Sequence, residues 1–145
     1  MKQIRIFTIL ALSLMLFSCN GNAQNERKAK NTSQNKIEVI DFHSTHRCMT
    51  CNAIEANTKY TLDNYFANEL KSGKITFQSV NVDKDENYEM AEKYEASGTS
   101  LFLNVVINGK ETIINLTDFA FSKGRDKEAF SKSLKTKLEE QLKKL

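Results

Sequence analysis

The sequence of 145 residues contains no proline, no tryptophan and only three cysteines. Without proline, a cis peptide bond would have to precede another residue type, which costs about 2.5–4 kcal/mol. The chain also lacks a GxxxxGK[ST] phosphate loop, a GxSxG nucleophile motif and an HExxH zinc motif. These absences exclude the enzyme classes that the three motifs define.

The charge balance argues against a nucleic-acid-binding protein. The formal net charge is +3, from 21 basic and 18 acidic residues. Removal of the first 18 residues as an export signal would take away Lys2 and Arg5 and leave 19 basic against 18 acidic residues, or +1. No run of basic residues is interleaved with aromatic residues. We therefore expect no nucleic-acid partner.

The N-terminus has the pattern of a bacterial export signal. Two early positive charges precede an uncharged run over 6–18, which is short for a membrane span. The run ends in LFSC, which resembles a lipobox, where the cysteine is lipidated and becomes the new N-terminus. We predict a signal peptide over 1–18 and acyl chains on Cys19 that anchor the protein to a bacterial membrane, facing the periplasm. The alternative is a buried apolar helix with a chance cysteine.

A polar segment separates this anchor from the rest of the chain. NGNAQNERKAKNTSQNK, over 20–36, has no apolar residue beyond two alanines and cannot bury enough surface to order itself. We predict a flexible, lipidated tether over 19–36 and one folded domain over 37–145. Lipidation of Cys19 leaves Cys48 and Cys51 as a pair outside the cytosol, where a disulfide can persist.

Hydrophobic periodicity in the folded domain predicts the element order β-α-β-α-β-β-α. Alternation of strands and helices implies parallel pairs, and the Asn108-Gly109 hairpin signal adds an antiparallel edge strand. The expected architecture is an α/β fold with a central mixed four-stranded sheet flanked by helices. We predict strands over 37–42, 75–83, 101–107 and 110–116, a short helix over 85–96, and a long C-terminal helix whose core stripe is Phe130, Leu134, Leu138, Leu142 and Leu145.

The first helix begins at the cysteines and ends near the stop signal at Gly73. Its buried side is predicted from five positions at helical spacing: Ile54, Thr58, Leu62, Tyr65 and Phe66.

The CMTC motif therefore falls where the first strand ends and the first helix begins. A helix N-terminus presents free N–H groups and about half a positive charge, which favours thiolate over thiol. Arg47 and His46 add positive charge, so Cys48 is predicted to be the exposed nucleophile. Cys51 lies one turn later with Cβ atoms about 5–6 Å apart, near enough to form a disulfide and to resolve a mixed disulfide.

In these motifs the chain resembles the thioredoxin-like superfamily over nearly all of 37–145. VIDFHSTHRCMTC is similar to the thioredoxin strand and active-site loop, VNVDKDENYEMAEKY to the following strand and helix, and INGKE with FSKGRDKEAF to the hairpin and the start of the last helix. The resemblance implies thiol–disulfide exchange with protein partners and no cofactor other than the disulfide. HRCMTCNAIEANT further resembles small exported thioredoxin-like proteins described as subunits of nitrophenyl-compound and aromatic arsenical reduction systems.

The resemblance also implies a role for Asp41, which matches the buried aspartate of thioredoxins. A carboxylate near the Cys51 thiol could relay protons, with its pKa raised by burial. A structural aspartate at a strand end is the equal alternative, since the loop from Asp41 to Cys48 is one residue longer than in thioredoxin.

Two departures from thioredoxin affect partner choice. Arg47 replaces the tryptophan before the first cysteine, and Ser100 lies near the position of the cis-proline. We predict a trans peptide bond at Ser100, because a non-proline cis bond is costly. The different loop edge favours a dedicated partner over general disulfide reduction or isomerisation.

A metal site is the principal alternative to a redox dithiol. His43, His46, Cys48 and Cys51 could serve as four ligands for zinc or copper. Against this, strand alternation need not bring both histidines to the sulfurs, and no second CxxC exists. A structural disulfide in a binding protein is the third possibility. We favour a monomeric oxidoreductase that takes electrons from a membrane thiol donor and passes them to a protein partner.

Overall fold

The structure, a computed structural model, describes residues 34–145. The predicted signal peptide, the lipidation of Cys19 and most of the predicted tether lie outside the described residues. Between residues 34 and 145, no helix combines the length and the apolar run that a bilayer crossing requires. The strands are β1 (Lys36–His43), β2 (Ile75–Asn81), β3 (Ser100–Ile107) and β4 (Lys110–Asn115), and the helices are α1 (Met49–Tyr65), α2 (Ala67–Ser72), α3 (Tyr88–Lys93), α4 (Thr117–Lys123) and α5 (Lys127–Leu142).

The four strands form one mixed sheet in the order β2-β1-β3-β4. β1 and β2 are parallel, with Ile37 opposite Ile75, whereas β3 is antiparallel to both β1 and β4. This order and these directions confirm the predicted thioredoxin-like fold. Because β1 lies between β2 and β3, the loop that follows β1 begins near the middle of the sheet, at the end where β1 stops.

The alternation of side chains along β1 divides the core in two. Ile37 and Val39 belong to the larger cluster, which includes the apolar stripe of α5 with Phe130 fully buried. Ile40 and Phe42 belong to a smaller cluster under α3. Asp41 has the parity of Ile37 and Val39, so it faces the side of the sheet that carries α1 and α5.

The predicted first helix is two helices. Its backbone leaves the helical region at Phe66 (φ −133°, ψ 25°), where α1 ends and α2 begins. The Phe66 side chain is buried in the core, whereas Tyr65 is 48% exposed. The prediction that Tyr65 lies on the buried side was therefore wrong, because burial of Phe66 at the break turns its neighbour outwards.

The other boundaries depart from prediction by small amounts. A 3-10 turn over Asp85–Asn87 precedes α3, and α4 was not predicted. Asn108 and Gly109 both have positive φ (53° and 80°), as the predicted two-residue hairpin requires. All peptide bonds between residues 34 and 145 are trans, which confirms the prediction at Ser100.

The described domain begins slightly before the predicted residue 37. β1 begins at Lys36, and the Asn35 side chain bonds two distant segments. Its Nδ2 donates to the carbonyl of Leu145 at 3.0 Å, and its Oδ1 accepts from the backbone N–H of Asn108 at 2.8 Å. Asn35 thus ties the start of β1 to the β3–β4 hairpin and to the C-terminus.

Candidate active site

Cys48 and Cys51 form a disulfide at the N-terminus of α1. Cys48 is the N-cap residue, with an extended backbone (φ −73°, ψ 165°). Its Sγ accepts a hydrogen bond from the backbone N–H of Cys51 at 3.0 Å, and its carbonyl accepts from the N–H of Asn52 at 3.1 Å. The Cα atoms of the pair are 5.0 Å apart. The predicted position of the dithiol is confirmed.

The two sulfurs differ in their access to solvent. Cys48 is exposed, whereas Cys51 is 8% exposed and lies one helical turn deeper. Met49, between them, is 74% exposed. This difference in exposure is the one predicted from the sequence. It leaves Cys48 within reach of a partner and keeps Cys51 enclosed.

The loop between β1 and α1 is attached to the end of β2. The Asp83 carboxylate accepts a hydrogen bond from the Thr45 N–H at 2.7 Å, and Asn81 Nδ2 donates to the Thr45 hydroxyl at 3.1 Å. The backbone hydrogen bond from Thr45 lowers the pKa of Asp83. These contacts hold the residues before Cys48 in place. Asp83 was not among the residues predicted from the sequence, although the Asn-Val-Asp run at the end of a predicted strand was a usable signal.

Asp41 is fully buried on the α1 side of β1. Burial raises the pKa of its carboxyl to about 7, although the positive charge of Arg47 opposes the shift. Its Oδ1 atom is buried and has no hydrogen-bond partner among the described residues. The predicted burial and raised pKa of Asp41 are therefore present, and the carboxyl can hold or release a proton near neutral pH.

Arg47 pairs with two carboxylates rather than pointing freely towards Cys48. Its Nη2 lies 3.1 Å from Asp41 Oδ2, and its Nη1 donates to Glu55 Oε2. Glu55 Oε1 also accepts from Lys59 Nζ at 2.5 Å. Burial would raise the pKa of Glu55, but hydrogen bonds and charge from Lys59 and Arg47 outweigh it and lower that pKa.

Glu55 was not among the residues predicted from the sequence. Its signal was helical spacing: Glu55 lies four residues after Cys51 and four before Lys59, so all three share one side of α1. The Arg47 charge that the sequence assigned to Cys48 is thus committed to a partly buried network on the side of α1 that carries Cys51.

Ser100 begins β3, where it lies opposite Phe42 of β1. Its hydroxyl donates to the Gly98 carbonyl at 3.2 Å. A Cβ placed on Gly98 would lie 3.7 Å from Ser44 Oγ, so the loop before β3 passes beside the active-site loop. Ser100 is placed at the edge of the site, but no described contact joins it to the sulfurs.

The loop between α4 and α5 also packs against α1. Asn57 Nδ2 donates to the Gly124 carbonyl at 2.9 Å in a buried contact across 67 residues of sequence. Arg125 Nη2 approaches the Met49 sulfur at 4.0 Å. A segment distant in sequence therefore supports the helix that carries the dithiol, and sequence analysis did not identify it.

The four residues of the metal alternative do not form a joint site. Within 34–145, no three His, Cys, Asp or Glu side chains cluster in a way that could hold a metal ion. The His43 Nδ1 atom lies 3.0 Å from the Ser44 carbonyl, and His46 is exposed. Both sulfurs are bonded to each other, so neither is a thiolate ligand in this state.

The sheet order and the CxxC disulfide define the class of this protein: a thioredoxin-like fold that carries a disulfide at the start of its first helix. No protein-family model and no curated protein matches the sequence.

Several solved thioredoxins are similar to this chain. Mitochondrial thioredoxin 3 of Saccharomyces cerevisiae, in its oxidised form, is 24% identical with a TM-score of 0.41, over 63% of this chain and 77% of its own. Fasciola hepatica thioredoxin is 21% identical with a TM-score of 0.40, over 66% and 84%. A thioredoxin from Thermus thermophilus is 22% identical with a TM-score of 0.39, over 59% and 64%. The fold assignment itself rests on the strand order and directions described above.

Proposed function

We propose that this protein is a lipid-anchored thiol–disulfide oxidoreductase that faces the periplasm and passes electrons through Cys48 and Cys51 to a dedicated protein partner. The observation that carries the proposal is the disulfide at the start of α1, with Cys48 exposed and Cys51 8% exposed. A merely structural disulfide gains nothing from a helix N-terminus, whereas a nucleophilic thiolate is stabilised there by the free N–H groups.

The reaction begins with the reduced protein. The Cys48 thiolate attacks one sulfur of a partner disulfide, which forms a mixed disulfide and releases the other partner sulfur as a thiolate. Cys51 then loses its proton and attacks Cys48, which restores the protein disulfide and frees the second partner thiol. Two electrons pass to the partner, and a membrane thiol donor returns two electrons to the protein disulfide.

Asp41 is the proposed acceptor of the Cys51 proton. Burial raises the pKa of the Asp41 carboxyl to about 7. Near neutral pH the group can therefore alternate between its protonated and ionised forms. Its unpaired Oδ1 atom is the free acceptor, because Oδ2 is already paired with Arg47. Proton removal by Asp41 would act on the second step only.

The partner class follows from the loop chemistry and the family resemblance. Arg47 and a trans peptide bond at Ser100 replace the tryptophan and the cis-proline with which thioredoxins meet many partners. A dedicated partner fits this altered edge, and a nitrophenyl-compound or aromatic arsenical reduction system is the one that the HRCMTCNAIEANT motif suggests.

Trapping tests the proposal. In the Cys51→Ala variant the mixed disulfide cannot be resolved, so we expect partner proteins to accumulate on Cys48 in cells and to be released by reductant. The matched control is Cys48→Ala, which keeps the buried thiol but removes the nucleophile and should trap nothing. Equal trapping by both variants, or by neither, would contradict electron transfer through this pair.

A further inference from the structure

The charged groups beside the dithiol form a continuous chain across two elements. Arg47, in the loop after β1, bridges Asp41 on β1 and Glu55 on α1, and Glu55 in turn binds Lys59. We propose that Glu55 is a positioning residue that holds the Arg47 guanidinium against Asp41. This inference deepens the proposed function, because it concerns the carboxyl that would accept the Cys51 proton.

The geometry of Arg47 carries the inference. A guanidinium presents its terminal nitrogens in a rigid fork, so an arginine held at one nitrogen is oriented at the other. Nη1 binds Glu55 while Nη2 lies 3.1 Å from Asp41 Oδ2, and only 20% of the side chain is exposed. The Nε atom of Arg47 has no partner in the described part of the chain. Asp41 and Glu55 are therefore the two groups that hold the guanidinium in place.

The charges acting on Asp41 come from two elements. Arg47 of the loop and Lys59 of α1 favour its ionised form, whereas Glu55 of α1 opposes it. Cys51, on the same side of α1, adds a negative charge whenever its thiol is ionised. Lys59 lies on the far side of Glu55 and keeps that carboxylate charged through their hydrogen bond.

Glu55 should thus have two opposite effects on Asp41. Its own negative charge raises the Asp41 pKa directly. Its hold on Arg47 lowers the same pKa, because it keeps a positive charge close to the Asp41 carboxylate. A substitution that removes only the charge can therefore be separated from one that also releases the arginine.

The experiment compares Glu55→Gln with Glu55→Met by carbon NMR titration of the Asp41 carboxyl in the oxidised protein. Both variants remove the charge, but the amide oxygen that Glu55→Gln introduces can still accept from Arg47, whereas the thioether that Glu55→Met introduces cannot. With Arg47 present, we expect the Asp41 pKa to be higher in Glu55→Met than in Glu55→Gln by about one pH unit. In an Arg47→Met background, the two variants should give the same pKa.

This double comparison decides between a positioning role and a purely electrostatic one. Equal Asp41 pKa values for Glu55→Gln and Glu55→Met in the presence of Arg47 would overturn the proposal. So would a difference that persists in the Arg47→Met background.

The outcome is independent of the trapping result. The titration reads a carboxyl in the oxidised protein, whereas trapping reads thiol exchange with a partner. Failure of trapping with a positive NMR result would remove the oxidoreductase and leave the Arg47 arrangement intact. A negative NMR result with successful trapping would reject the positioning role of Glu55 and leave the oxidoreductase proposal intact.

Discussion

Individual residues at this site derive their properties from burial and from helix position. Cys48 and Cys51 have the same side chain, yet one is exposed at the N-cap and the other is nearly enclosed. Asp41 is an ordinary aspartate whose pKa rises to about 7 because the core surrounds it. The proposed roles of nucleophile, resolving thiol and proton acceptor rest on these three environments.

The raised pKa of Asp41 predicts a pH-dependent stability. Below the ordinary pKa of 3.8, the carboxyl is protonated in both folded and unfolded chains, and it costs nothing. As the pH rises from 3.8 through about 7, the unfolded chain ionises first, so stability falls; above about 7 the loss is complete. The free energy of unfolding of Asp41→Asn minus that of the wild type should therefore be larger at pH 8 than at pH 4, by about 2–4 kcal/mol. Urea denaturation at the two pH values measures this difference.

The comparison between pH 4 and pH 8 cancels those effects of the substitution on stability that are the same at both pH values. Loss of the hydrogen bond to Arg47 affects the variant at both pH 4 and pH 8, so it largely cancels. A conservative change at an exposed carboxylate, Asp63→Asn, should show no such pH difference. If the Asp41→Asn difference is the same at both pH values, the carboxyl is not perturbed.

At the scale of secondary-structure elements, the site depends on how tightly α1 is held by a distant loop. Gly124, at the end of α4, lies against α1 so closely that a Cβ there would be 2.7 Å from the Ala120 carbonyl and 2.9 Å from Ile54 Cγ1. It would also lie 3.2 Å from Thr50 Cγ2, in the first turn of the helix. A glycine is required at this position by space, not by backbone conformation, since its φ is −55°.

Gly124→Ala is expected to destabilise the protein by about 1–3 kcal/mol, because either α4 or α1 must shift to admit the methyl group. The matched control is Gly98→Ala. Its Cβ would meet only Ser44 Oγ at 3.7 Å, an ordinary contact, so we expect a change below about 1 kcal/mol. Thermal or urea unfolding of both variants tests the comparison, and equal losses would show that the close approach at Gly124 does not exist.

Elements with a long or clear pattern were predictable from the sequence. The four strands, the Asn108-Gly109 hairpin and the apolar stripe of α5 all appear where local periodicity indicated them. The break at Phe66 and the short helix α4 were not predicted. The break depends on burial of Phe66 in the core, and α4 depends on burial of Ala120 there. No local sequence pattern indicates that these two side chains are buried.

The candidate site was predictable to a similar extent. Placement of CxxC at a strand-to-helix junction made the exposure of Cys48 and the enclosure of Cys51 predictable. The partners of Arg47 were not, because they come from β1 and from the second turn of α1. An arginine beside a cysteine in sequence is free to turn away from it in space.

At the scale of the whole molecule, the sheet separates two cores, and the dithiol follows the loop after β1, one of the two inner strands. Asn35 joins the start of the first strand to the C-terminus and to the hairpin, at the end of β1 that lies away from the dithiol.

The proposed lipid anchor is tested at this scale. Cys19→Ser removes the acyl acceptor, so we expect this variant, exported behind a signal peptide that is cleaved without lipidation, to move from the membrane fraction to the soluble fraction of the periplasm. Cys48→Ser is the matched control and should stay with the membrane. Partition of Cys19→Ser and wild type into the same fraction would contradict the anchor.

The order of strands and helices, the hairpin and the position of the cysteine pair were determined by the sequence alone, because each depends on local periodicity or on neighbouring residues. Only the tertiary structure decided the charge network of Arg47, the close packing of Gly124 on α1 and the attachment of the active-site loop to Asp83. Each of these joins residues that are distant in sequence or that lie on different elements, and the contact exists only once packing has brought the elements together.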